Sequence, residues 1–184
     1  MYHNDDRWHV NQCLAGRPEA FEFLVKKYER GMMATARRMV KHPDDACDLV
    51  QEAFLKAYQA LADYRVEYAF STWLYRILIN LCLNFLEKRR NAALLLGQMA
   101  DQRPPERLPV VERREFWSQV EQALQHLSAQ ERSAFVLANF ENIPVAEIAN
   151  IIECPKGTVC WLLFQARKKL QALLDRNIWE ECQR

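Results

Sequence analysis

Asp44-Asp45-Ala46-Cys47-Asp48-Leu49-Val50-Gln51-Glu52-Ala53-Phe54 decides the fold class. Its apolar residues Leu49, Val50, Ala53 and Phe54, continued by Ala57 and Leu61, recur three and four residues apart. In a helix that spacing gathers them into one stripe, with Asp48, Gln51, Glu52 and Lys56 off it. Pro43 ahead of two aspartates reads as a break followed by an acidic first turn, which suits the positive end of a helix dipole.

The same period extends in both directions. Upstream it runs through Ala20, Phe21, Leu24, Val25 and Tyr28; downstream through Trp73, Leu74, Ile77, Leu78, Leu81 and Phe85. Clear alternating strand patterns are absent. Helices are expected near 5–14, 18–40, 44–63 and 70–90, as one bundle. Gly16 suits the end of the first helix and Pro18 the first turn of the second. A second set is expected near 112–127, 129–140, 144–152 and 158–175. Ser128 and Glu131 have the spacing of a capping box. Pro144 can open the next helix, Glu153–Gly157 is a tight turn, and Thr158 is expected to cap the last helix. A short helix, a turn and a second helix make a helix-turn-helix. Pro104, Pro105 and Pro109 in a polar run mark a linker. The expected architecture is all-α: two small helical domains, 1–92 and 112–184, joined by a flexible linker, 93–111.

Composition excludes several functions. The 184 residues are 50% hydrophobic and 27% charged, a globular balance. Gly16, Gly31, Gly97 and Gly157 lie too far apart for a phosphate-cradling loop. With a net charge of +1, any nucleic-acid surface must be local. No apolar run, Ala92–Leu96 included, comes near the length of a membrane span. The first residues lack a basic start followed by an apolar stretch, so a cytoplasmic protein is expected. The six cysteines form no C-x-x-C pair and are expected to be reduced thiols. His42 and His126 stand alone, while His9 and Cys13 offer two metal ligands without a third. No metal, cofactor or catalysis is expected.

Two stretches carry binding chemistry. From Tyr64 to Arg90 aromatic and basic residues interleave, the mixture that unpaired bases need for stacking and phosphate contact. Trp73 is expected in the core, whereas Tyr64, Tyr75, Arg76 and Asn80 fall off the core stripe or near a loop. In the last helix, Val159, Leu163, Ala166, Leu170 and Leu173 form the expected buried stripe. Trp161 and Lys168 then point nearly opposite it, beside Phe164 and Cys160. Such a face reads thymine methyls, is covered by a protein partner, or is removed by a slightly different helix packing that buries Trp161.

The segment 44–90 resembles the extracytoplasmic-function sigma factors of bacterial RNA polymerase. Asp48-Leu49-Val50-Gln51-Glu52-Ala53-Phe54, then Phe70-Ser71-Thr72-Trp73-Leu74-Tyr75-Arg76-Ile77 and Asn80, follow that family's pattern. Leu127-Ser128, Glu131-Arg132, Glu147-Ile148-Ala149 and Cys154-Pro155-Lys156-Gly157-Thr158-Val159 are similar to its second domain. The resemblance implies a factor without catalysis of its own that directs core RNA polymerase to promoters in a stress or environmental response. Asp48, Gln51, Glu52 and Phe54 match the polymerase-docking segment. Tyr64 and Arg65 belong to a stretch matching the base-capturing loop; Arg76, Asn80, Lys88 and Arg89 match the strand-binding helix. Lys156, Thr158, Trp161, Gln165 and Lys168 fall in the helix that reads duplex DNA. Expected partners are core polymerase, promoter DNA and an anti-sigma factor. Val66 departs from a frequent Gly and Asn84 from a frequent Asp. Cys160, Leu162 and Gln165 stand where the family is basic. The alternative is a sigma-derived helix-turn-helix interaction module that occupies polymerase or a regulator with impaired promoter binding.

Overall fold

A computed structural model describes residues 3–65, 69–95 and 113–174. Among them every regular element is helical. The chain divides into two compact units, Met1–Cys82 and Leu83–Arg184. The linker expected at 93–111 lies outside the described residues from 96 onward.

The first unit holds α1 (His3–Leu14), α2 (Phe21–Met39), α3 (Pro43–Gln59) and the start of α4 (Phe70–Leu95). Gly16 takes φ +84° and ends α1. The Gly16 amide donates to the Cys13 carbonyl and the Arg17 amide to the Gln12 carbonyl, the paired bonds of a Schellman end. The expected helices at 18–40 and 44–63 each prove to be two pieces. A 3₁₀ turn at Pro18–Ala20 precedes α2, and another at Leu61–Asp63 follows α3. Leu24, Met32, Met39, Ala46, Ala53, Leu74, Leu78 and Ile79 form a core closed to solvent. The Cys82 thiol is buried with them, and burial pushes its pKa up to about 12, so it is a packing residue rather than a nucleophile.

Helix α1 is tied to α2 by a buried carboxylate. The Tyr28 hydroxyl donates to Asp6 Oδ2 at 2.6 Å, and Lys27 Nζ donates to Oδ1 of the same group. Burial first, then the hydrogen bond to Asp6, holds the Tyr28 phenol above its ordinary range.

The second unit contains α5 (Arg113–Leu124), α6 (Ala129–Asn139), α7 (Val145–Ile151) and α8 (Lys156–Leu173). Its core joins Val120, Leu124 and Leu127 to Phe135, Ala166, Leu170 and Leu173. The capping box forms: the Glu131 amide donates to Ser128 Oγ, and the Ser128 amide donates to Glu131 Oε2 at 2.8 Å. Lys169 of α8 donates to both Glu131 oxygens, at 2.7 and 2.8 Å. Burial pushes the Glu131 carboxyl up, but Lys169 and the Ser128 contacts outweigh it and its pKa is lowered. The Arg132 guanidinium pins the α5–α6 turn by donating to the Gln125 and Leu127 carbonyls. Burial lowers its pKa to about 10.

Candidate nucleic-acid and polymerase interface

On α3 the buried stripe is Ala46, Leu49, Val50, Ala53, Phe54 and Ala57. Asp48, Gln51 and Glu52 are exposed on the other side, where Gln51 Nε2 reaches Cys47 Sγ at 3.5 Å and Lys56 pairs with Glu52 at 3.2 Å. Phe54 does not join them. It is 9% exposed and belongs to the core, because it follows Val50 by four residues on the apolar stripe. One side chain that sequence reasoning did not single out stands on the polar face instead: Leu55, 56% exposed. Its signal is its spacing, seven residues after Asp48 and three after Glu52.

The aromatic and basic stretch separates into a cluster and a helix. Tyr64 packs against Phe70 and Trp73, with ring centroids 5.5 and 5.3 Å apart. Trp73 is half-buried rather than in the core, because its outer side faces the loop that carries Tyr64. Tyr75 is the converse correction: it is 6% exposed, packed in the core beside Leu74 and Ile79, and presents no ring to a base. Burial raises the Tyr64 phenol above its ordinary pKa. Arg65, Arg76, Lys88 and Arg89 are exposed and Asn80 is half-buried. Arg76 and Asn80 are one turn apart on α4, and Lys88 and Arg89 follow two turns later. Of the expected base-capturing loop, residues 66–68 lie outside the described residues.

In the second unit the short helix and the long one flank a built turn. Glu153 takes φ +54°, the Cys154 amide donates to the Ala149 carbonyl at 3.0 Å, and Pro155 follows. Thr158 does not cap α8. The N-cap is Pro155 and the helix begins at Lys156, since proline fixes an extended residue there and the Thr158 amide already donates to the Pro155 carbonyl. Lys156, Thr158 and Lys168 are exposed and Gln165 is half-buried. Trp161 and Phe164 are 57% and 61% exposed, with Cys160 beside them. Leu162 is 3% exposed and joins the core stripe, so only two of the three missing charges, at Cys160 and Gln165, concern the surface. Lys169 is paired with Glu131 at 2.7 Å.

His9 stacks on Phe23 at 4.8 Å and lies 3.5 Å from an Asp5 oxygen. Among the described residues no three His, Cys, Asp or Glu side chains converge on a point that could hold a metal. The cysteines at 13, 47, 82, 154 and 160 are free thiols. No helix among the described residues is long and apolar enough to cross a membrane.

An exposed polar face on α3, aromatic and basic side chains along α4, and a helix-turn-helix in the second unit are the features of a sigma-type transcription initiation factor. Residues 24–92 match the family model for sigma-70 region 2, and residues 117–170 match that for sigma-70 region 4. The chain is 37% identical to the RNA polymerase sigma-H factor of Pseudomonas aeruginosa, across 92% of its own length and 94% of that protein's. It is 34% identical to the ECF RNA polymerase sigma-E factor of Escherichia coli, covering 91% and 95%. The solved structure of CnrH in complex with the cytosolic domain of CnrY is similar, with TM-score 0.68 and 27% identity over 92% of this chain and 96% of that one. This chain belongs to the extracytoplasmic-function sigma factors of RNA polymerase.

Proposed function

We propose that the chain directs promoter-specific initiation in a stress or environmental response, with domain 1–92 docking on core polymerase and engaging the melted proximal element. The linker 93–111 and domain 112–184 then place α8 on the distal element. The observation that carries this reading is the division of labour on the surface. Asp48, Gln51 and Glu52 stand exposed opposite a continuous apolar stripe, while Arg76, Lys88 and Arg89 stand exposed on α4. The first set suits a basic protein helix, the second a phosphate backbone. Tyr64 with Trp73 offers ring surface to an unpaired base, and Arg65 follows Tyr64 directly while Arg76 follows Trp73 by three residues on α4.

The factor acts in the cytoplasm, where polymerase and DNA are. An anti-sigma factor is a further proposed partner: a structural relative, CnrH, is seen in complex with the cytosolic domain of CnrY. The test is run-off transcription with purified core polymerase on a promoter library. Transcripts starting at a shared motif support the reading. Stable association with core polymerase but no transcript from any promoter would leave the interaction-module alternative, which the apolar face of α8 favours.

A further inference from the structure

Helix α8 carries Lys156, Arg167 and Lys168, a Lys169 already paired with Glu131, and no carboxylate of its own. Such a helix suits a polyanion and repels a basic partner. Its outermost line, opposite Val159, Leu163, Ala166 and Leu170, runs through Gly157, Trp161, Phe164 and Lys168. A Cβ at Gly157 would meet nothing, so that glycine is not needed for packing; it leaves bare backbone at the start of the helix, open to close approach.

The centre of this line is poorly equipped to read polar base edges. Guanine presents two acceptors to the major groove and asks for an Arg or Lys fork; adenine asks for Asn or Gln. Trp161 supplies one N–H and Phe164 none, and the one side-chain amide of the helix that flanks them, Gln165, is half-buried to the side of this line. Rings laid over guanine or adenine strip water from two or more polar groups and return at most the single indole N–H. Thymine alone presents an apolar group there, its C5 methyl. Lys156, Arg167 and Lys168 stand exposed at the two ends of the face, where the DNA backbone would pass.

We propose that Trp161 and Phe164 recognise thymine methyl groups, so that α8 selects a T·A-rich distal element by apolar contact. The inference rests on the promoter-binding reading above and names the base chemistry of that site.

The test uses the full chain assembled with core polymerase to select duplexes from a pool randomised across the promoter region. Selected duplexes are resynthesised with deoxyuridine for thymidine in the distal element alone, which deletes the methyls and keeps every hydrogen bond. A T·A-rich distal element is expected, with binding weakened about fourfold for each methyl contacted. In Trp161→Ser the penalty for the swap shrinks, while selection of the proximal element persists. A distal element without thymine, or equal binding of the deoxyuridine duplex, overturns the inference and leaves promoter binding intact. Selection of a proximal element with no distal preference does the same and turns α8 over to a protein partner. Failure to enrich any duplex removes the promoter reading itself.

Discussion

Restoring charge to α8 tests how its surface is apportioned. Cys160→Arg with Gln165→Arg adds two cations at positions that are exposed and half-buried, respectively. Each new phosphate contact steepens the logarithmic salt dependence of duplex binding by about 0.9. Two contacts add about 1.8, so between 50 and 200 mM salt the variant should lose roughly tenfold more affinity than the parent. Adding Leu162→Arg should not extend the trend. Leu162 is buried among Val159, Leu163 and Ala166, and an unpaired charge there plus the lost packing costs about 3–5 kcal/mol. That is a large share of a small domain's stability. Anisotropy titrations of the full chain against one labelled duplex, at four salt concentrations, measure the slope; circular dichroism melts measure folding. A double variant with the parent's slope, or a folded triple variant with a slope about 2.7 steeper, would refute the assignment of inner and outer faces.

Asp48→Lys with Glu52→Lys should abolish co-purification with core polymerase while leaving the chain folded, because both residues are exposed and only the surface pair of Glu52 with Lys56 is lost; retained binding in a pull-down would move the docking face elsewhere. Glu131 has a lowered pKa in the fold, so its contribution is complete above the unfolded carboxylate value, about 4.3, and is lost as pH falls through the lower folded value. The urea midpoint of the second unit should therefore drop in that acid window, and Glu131→Gln should flatten the drop. Glu153→Gly should raise stability by about 0.5–1 kcal/mol, since a left-handed backbone costs a side-chain-bearing residue more than glycine; an unchanged thermal midpoint would show that the turn relaxes.

Most of the helices were legible because apolar residues at three and four residue intervals leave little choice of secondary structure. The capping box was legible for the same reason: Ser128 and Glu131 satisfy each other's amides locally. The errors fall where a face is decided by a neighbour. Tyr75 and Leu162 sit at the edge of an apolar stripe, where one helix alone does not say how wide its contact is, whereas Phe54 lay in the stripe by its spacing and was set on the polar face only by the resemblance. Trp73 went the other way because the residues covering it come from a loop. Thr158 was placed at the cap by residue preference, but Pro155 starts the helix a turn earlier. Asp6 could not be read at all, since its partners Lys27 and Tyr28 are 21 and 22 residues away.

The bond from Lys169 to Glu131 changes how a mutational scan of this chain must be interpreted. Lys169 follows Lys168 in a basic run, and on the promoter-binding reading proposed above the loss of either would lower a transcription reporter. For Lys168, exposed on α8, the lesion would lie in the proposed contact with nucleic acid. For Lys169 it would lie in the joint between α8 and the start of α6, where Glu131 also holds the Ser128 cap. Acetylation of the two lysines separates in the same way: one modification discharges a surface, whereas the other detaches a strut and leaves a carboxylate that is 6% exposed without its counter-ion.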